Sequence, residues 1–491
     1  MSPLPNNTHP KWWKDPGIRT LNLLLLSSYL GATANGYIST LITNLLANPH
    51  YLSNISGLSD TRLLGLITAA QSLGAILAFF PASWIAETYG RRAGIVTGNV
   101  GMIAGFTGQV FSRTFAQFMG LRMLVGFSSF FNTVSSAALL VELAHPRQRA
   151  VAGALFNTCF FVGSIAAAWV SYASLAIPGA WSWKLPVAVQ LFWSLAQVAL
   201  VSMCPESPRW LVRHGKGEQA KSIMVRYHAN GYQEDELVGA EFAVMLAEVE
   251  VQERDTGSSS WRALVATKGN RRRLFLSVVI AVATQWVGNG VVSFYLAPVL
   301  RTVGITNAFQ QQGINGGLQI YNWFLACAAA LLCERAGRRR LFLMSAGTML
   351  VFMTLITVCS ALYSRTGSAA AGYAVIVFLF LFLGGYVIGL TPIPILYVNE
   401  IWPSHLRTKG TSVFWVSQAV AICFNQFVNP VALDRIAWRY YLIYVGVLVA
   451  VVNFMFFCVP ETKGLSLKQV GDIFDGGRRG SVELEDARVE S

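Results

Sequence analysis

Charge is what this sequence has least of. Asp, Glu, Lys and Arg make up 12% of its 491 residues, against 54% hydrophobic. That is about half the usual charged share, too little to give a large soluble helical protein its polar faces. Acid is scarcer than base, with 24 Asp and Glu against 37 Lys and Arg and a net charge of +13. On a soluble chain such an excess points to nucleic acid. Here the bases gather in short loops beside apolar runs, so the partner is a lipid bilayer rather than nucleic acid. The 7 cysteines (159, 204, 327, 333, 359, 423 and 458) are odd in number and lie in or at the edge of apolar runs, which gives neither a disulfide framework nor a metal site. No nucleophile–base pair and no phosphate loop occurs, so neither an enzyme nor a cofactor is expected. Residues 1–18 are polar and the first apolar run is too long for a signal peptide, so no cleaved leader is expected.

What the chain has in abundance is apolar runs of about 20 residues, the length that crosses a bilayer. They fall near 20–43, 62–85, 93–112, 115–141, 150–173 and 187–204, and again near 273–300, 314–333, 340–363, 371–399, 410–430 and 438–459. The expected fold is all-α with twelve transmembrane helices. The expected domains are a tail (1–18), a six-helix bundle (19–204), a hydrophilic linker with surface helices near 217–228 and 235–255 (205–272), a second six-helix bundle (273–460) and a second tail (461–491). Arg91, Arg92, Arg147, Arg149, Arg271 to Arg273, Arg338 to Arg340, Arg407 and Lys409 fall on one side of these runs. That side and both termini are therefore expected in the cytoplasm. Asn54-Ile55-Ser56 is a glycosylation sequon on the opposite side.

The two halves repeat each other. Glu87-Thr88-Tyr89-Gly90-Arg91-Arg92 returns as Glu334-Arg335-Ala336-Gly337-Arg338-Arg339. Glu142 seven residues before Arg149 returns as Glu400 before Arg407, and Pro205-Glu206-Ser207 as Pro460-Glu461-Thr462. The repeat of roughly 250 residues, in the same order, makes the halves parallel repeats. Acids and arginines at span ends can pair across helices and bias a two-state gate; they can also simply fix topology. The acidic segment 234–255 is either a solvated face or a partner of these clasps.

With Arg122-Gly126, Pro205 to Arg209, Pro392 and Pro394 before Glu400, and Pro460 to Gly464, the chain resembles the sugar porter family of the major facilitator superfamily from about residue 18 to 472. Gln285 to Gly290 and Ser293-Phe294-Tyr295 are most similar to fungal lactose permeases and cellodextrin transporters. The resemblance implies the major facilitator fold, a monomer in a fungal-type plasma membrane, and a mono- or disaccharide as substrate. It places ligand contacts at Asn157, Asn322 and Gln418, beside Gln285, Asn289 and Tyr295, which the spacing puts on one helix. Each of these amides can equally serve helix–helix hydrogen bonding. The sequence departs from the family at Ile38, where many members have aspartate, and at Thr284, Gly290 and Ile395. No Asp, Glu or His lies inside any expected span. Arg122 is left without the usual acid, and facilitated diffusion is expected rather than proton symport. A non-sugar metabolite, a proton-coupled cycle and a sugar sensor are the alternatives.

Overall fold

The computed structural model describes residues 6–9, 11–56, 61–256, 261–465 and 467–475. It is helical throughout, with one isolated β-bridge and no strand among the described residues. The chain divides into two compact units between Thr256 and Gly257.

Six long helices build the first unit: α1 (Pro16–Ala47), α2 (Thr61–Thr88), α3 (Arg91–Phe111), α4 (Phe115–Leu143), α5 (Arg149–Ser174) and α6 (Trp181–Met203). Their ends follow ordinary capping chemistry. The Asp15 carboxylate accepts the Ile18 N–H ahead of α1, which has Pro16 in its first turn, and Thr114 with Gln117 forms a capping box at α4. The surface helices α7 (Gly217–His228) and α8 (Glu236–Thr256) belong to this unit. Ile223 and Tyr227 of α7 pack with Leu21, Leu140, Leu143 and Val201 at one end of the bundle.

The second unit repeats the order with two interruptions. Its first span is broken into α9 (Lys268–Trp286) and α10 (Asn289–Arg301). Then follow α11 (Ala308–Ala336), α12 (Arg338–Thr366) and a span made of α13 (Ala369–Gly385), a π-turn at Tyr386–Leu390 and α14 (Ile393–Ile401). α15 (Ser404–Ile436) and α16 (Tyr440–Cys458) complete six spans, and α17 (Leu467–Asp475) ends the described chain. Pro392 and Pro394 follow the π-turn and prevent an unbroken helix there.

Eight stretches are long and apolar enough to cross a membrane, the last of them (Lys409–Cys458) holding two spans, so nine of the twelve are covered. The three that fall short, α1, α3 and α11, carry buried polar residues: Thr33, Thr40 and Asn44; Asn99; and Gln311, Gln312, Asn315, Gln319 and Asn322. Their polarity faces protein, so the hydropathy deficit does not expose it to lipid. The outer faces are apolar instead: Leu77, Phe80, Phe111, Phe192 and Phe457 are all more than half exposed, the pattern of a surface solvated by hydrocarbon. Inside the first unit, Gln197 of α6 joins Asn99 of α3 with Asn132 and Ser136 of α4 at 2.9–3.1 Å. All four side chains are buried, and buried amides in a membrane bundle need such partners.

The N-terminal segment is not a free tail in its described part. Asn6 and Asn7 hydrogen-bond to Asp235, and the Asn230 carboxamide bridges Asp15 Oδ2, the Asn7 carbonyl and the Gly17 N–H. The expected disorder from Gly476 onward lies outside the described residues.

Candidate functional site

Two kinds of site emerge, one at the clasp end of each unit and one around the break between α9 and α10.

Each clasp is built from five hydrogen bonds. Arg91, opening α3, reaches Glu142 at the end of α4 through Nε and Nη2, both 3.1 Å. The Glu142 carboxylate also accepts the Ser207 hydroxyl. The Glu206 carboxylate then caps α3 itself, accepting the backbone N–H groups of Arg91 and Arg92 at 3.0 and 3.1 Å. In the second unit Arg338, opening α12, reaches Glu400 through Nε and Nη2 at 3.0 and 2.8 Å, and Thr462 Oγ1 donates to Glu400 at 2.5 Å. Glu461 accepts the N–H groups of Arg338 and Arg339 at 2.8 and 3.1 Å. Anions at a helix N-terminus meet free N–H groups and the positive dipole end. The preceding glycines, Gly90 and Gly337, have φ of +103° and +88°, a region that favours glycine, and their bare Cα lets the capping glutamate approach.

The partners differ from those the sequence spacing suggests. Glu87 is exposed and makes no ion pair among the described residues; its backbone carbonyl accepts the Trp210 indole N–H at 2.8 Å. The side chain of Glu334 lies outside the described residues. Arg92 and Arg339 donate to carbonyls, Ser202 O at 2.9 Å and Phe456 O at 2.6 Å, not to acids. Arg149 does not meet Glu142: it pairs with Glu241 of α8 at 2.5 Å. Arg407 pairs with no carboxylate among the described residues. Seven residues separate an acid at the end of one helix from a base at the start of the next, and the intervening turn carries them apart.

The acidic linker helix does reach the clasp. Glu241 also faces His228 at 3.3 Å, and Glu248 pairs with Arg209. A cavity of about 270 Å³ remains there, lined by Glu142, Arg149, Arg209, Glu241 and Glu248. Burial pushes the Glu206 carboxyl above the usual range, against the pull of the Ser207, Arg92 and Arg91 N–H groups. For Glu461 burial works the same way, but four backbone N–H groups outweigh it and hold the carboxyl below that range. In the second unit Arg273, read from sequence as one of a basic run, is buried. It grips Asp475 of α17 through two bonds of 3.1 and 2.9 Å and donates to Ile401 O at 2.8 Å.

The second site gathers around Gly288, whose φ of +93° places it in the left-handed region and ends α9. Gln285 and Asn289 therefore flank a break and do not share one continuous helical face. Both are buried. Gln285 Nε2 and Gln418 Nε2, the latter from α15, donate to Thr284 Oγ1 at 3.4 and 3.0 Å. The Gln285 backbone carbonyl, at the break, accepts Asn425 Nδ2 at 2.8 Å. Asn289 Oδ1 and Asn322 Oδ1 are buried without a hydrogen-bond partner among the described residues. Tyr295 stands at a second kink, and its hydroxyl donates to Gln426 O at 2.6 Å. In the first unit Asn157 is exposed. The lipid stripe of α5 runs through Val151, Leu155, Val162 and Trp169, and Asn157 lies roughly 130° round the helix from it.

Arg122 is 2% exposed, and its Nη2 donates to Gln71 Oε1 of α2 at 2.9 Å. Ile38 packs with Met102, Phe106 and Val125, an apolar cluster that has no place for a charge.

Several residues of these sites were passed over in the sequence. Glu206 and Glu461 marked the repeat but were not assigned to the clasp. Asn425 lies two turns beyond Gln418 on α15, a spacing that signals a shared face. Gln311, Gln312, Asn315 and Gln319 precede Asn322 along one face of α11.

A model of the family described as sugar (and other) transporter matches residues 24–474. The chain is 26% identical over 452 residues to the MFS-type transporter oryC of Aspergillus oryzae, covering 89% of this chain and 82% of that one. It is 26% identical over 439 residues to hexose transporter 2 of Kluyveromyces lactis, covering 87% and 75%. The inward open conformation of the xylose transporter XylE from E. coli superposes with a TM-score of 0.75 at 20% identity, covering 92% of this chain and all of that one, which shows the shared fold. The chain is a multi-pass membrane protein with the twelve-helix major facilitator fold and belongs to the sugar (and other) transporter family.

Proposed function

We propose that the chain moves a mono- or disaccharide across a membrane by alternating access, as a uniporter and not by catalysis. The observation that carries the reading is the broken span. Gln285 and Asn289 stand at its two lips, Gln418 meets Gln285 at Thr284, and Asn289 Oδ1 is buried without a partner among the described residues. Amides donate and accept at once, as sugar hydroxyls require. Asn322 and Tyr295 complete the set in this unit, and Asn157 of the first unit is assigned to substrate by the family resemblance alone. Hexose carriage by relatives such as the Kluyveromyces protein supports the substrate class.

Uniport follows from what the spans contain. A proton pathway normally runs through Asp, Glu or His inside the membrane, and the sequence places none in the interior of the twelve spans. Gating is assigned to the clasps: Arg91, Glu142 and Glu206 in one half, Arg338, Glu400 and Glu461 in the other, with Arg92, Arg149, Arg339 and Arg407 beside them and Glu87 and Glu334 at the preceding helix ends. The clasp ends and both termini face the cytoplasm, the membrane is the plasma membrane, and the unit of function is the monomer. Asn54, exposed at the end of the short helix Pro49–Asn54, faces outward for glycosylation.

The test is uptake of labelled D-glucose, D-galactose, D-xylose, lactose and cellobiose into proteoliposomes. At least one should equilibrate and stop, with or without a pH gradient, and Gln285→Ala should raise its KM. Uphill uptake that collapses with a protonophore overturns uniport. Failure of all five turns the reading to a non-sugar metabolite.

A further inference from the structure

Position 290, one residue into α10, has no side chain, and the space it leaves is taken from another helix. A Cβ at Gly290 would overlap Asn425 Nδ2 and stand 3.4 Å from Asn429 Nδ2, both on α15. Asn425 uses its nitrogen to hold the Gln285 carbonyl across the break at 2.8 Å. Its oxygen accepts from Tyr444 of α16 at 3.1 Å. Asn429 Oδ1 accepts from Tyr440 at 2.8 Å and lies 2.6 Å from the Tyr444 hydroxyl, whose one hydrogen it shares with Asn425; the two tyrosine hydroxyls are 2.9 Å apart. Asn429 is fully buried, and its Nδ2 has no hydrogen-bond partner among the described residues.

This arrangement is more specific than helix–helix bonding requires. The two tyrosines occupy the carboxamide oxygens, which turns both nitrogens toward α10. One nitrogen braces the broken helix. The other is a buried donor with no acceptor among the described residues, an unfavourable state that an arriving ligand oxygen relieves. Gly288 is closely covered as well, since a Cβ there would overlap Met353 and crowd the Tyr444 ring.

We propose that α15 supplies the polar contact that a side chain at position 290 would otherwise make: Asn425 is a positioning residue that holds Gln285 at the break, and Asn429 donates its free amide to a substrate hydroxyl. The inference rests on the reading of the break as the sugar site. It makes Gly290 and Asn425 a steric pair and makes Asn429 a determinant of substrate affinity.

Two measurements on the full-length protein separate these claims. The first is thermal melting in detergent, which needs no substrate. Gly290→Asn should lower Tm by several degrees, and adding Asn425→Ala should restore most of it. A tolerated Gly290→Asn, or a double variant as unstable as the single, overturns the steric pair. The second is proteoliposome uptake of the five labelled sugars named above. For each sugar carried, Asn429→Ala should raise KM about five-fold, the loss of one hydrogen bond of about 1 kcal/mol, with kcat held within two-fold. Asn429→Gln should recover part of the affinity. An unchanged KM in Asn429→Ala while Gln285→Ala raises it overturns the Asn429 assignment. An unchanged KM in both, or uptake of none of the five, overturns the sugar-site reading and with it the substrate role of Asn429, while the melting result still judges the Gly290–Asn425 pair.

Discussion

Glu206 accepts the backbone N–H of Arg91 at 3.0 Å, so the residue whose guanidinium locks onto Glu142 is itself held by a second acid. The same double hold recurs at Arg338, between Glu400 and Glu461. A helix start, a helix end and the segment after the sixth span are thereby fastened at one point in each half. A contact of this kind has two arrangements, made or broken, which is what a gate needs.

The two capping acids should respond differently to neutralisation. Glu461, with a lowered carboxyl, contributes stability that is present above its unfolded value of 4.5 and lost as pH falls through its lower folded value. Glu206, with a raised carboxyl, is less favoured as an anion in the fold, and it takes up its proton first on acidification. Glu461→Gln should therefore cost more at pH 7, about 1.5–3 kcal/mol as a lost charged hydrogen-bond set, than Glu206→Gln. Thermal melts at pH 7 and pH 5 check the order. Equal costs at both pH values would refute it.

Within each clasp the first arginine should matter more than the second. Arg91→Ala and Arg338→Ala strip an acid of a two-bond partner, at about 1–3 kcal/mol. Arg92→Ala and Arg339→Ala remove single bonds to carbonyls, at about 1 kcal/mol or less. Turnover should fall more than affinity in the first pair. Initial-rate uptake against sugar concentration, beside Tm, gives both quantities.

His145, buried at the foot of α4, should make the protein acid-sensitive. Burial, and then His228 and Arg147 nearby, push its imidazole down to about 4. Between pH 6.5 and 4 the unfolded chain takes up a proton there that the folded chain does not. Stability is then lost as pH falls, by up to about 3 kcal/mol at one pKa unit per 1.36 kcal/mol. Tm against pH should be flatter over that window in His145→Gln. An identical slope would place the acid sensitivity elsewhere.

Gln71 should be required for a stable first unit. Gln71→Leu takes from the buried Arg122 guanidinium the amide oxygen at 2.9 Å and should cost about 1–3 kcal/mol. Gln71→Glu places a carboxylate there and should keep the contact. Melting curves of both variants decide.

What the sequence by itself determined was periodic and local. Twelve apolar runs, the duplicated clasp, the surface helix at Gly217–His228 and the lack of acid inside the spans are all one-dimensional facts, and hydrocarbon enforces them because each span must satisfy its own backbone. Partner choice was not local. Glu142 and Arg149 are near neighbours in sequence, yet Arg91 and Glu241 take their places, because the direction of each helix end decides which charges meet. Gln285 and Asn289 read as one face until Gly288, free to take a positive φ, broke the helix between them. Gly290 shows in the sequence only as a departure from the family, and that Asn425 of α15 fills its space is visible only in the fold. Such exchanges between helices far apart in the chain are settled by packing, where volume and hydrogen-bond donors must balance in three dimensions.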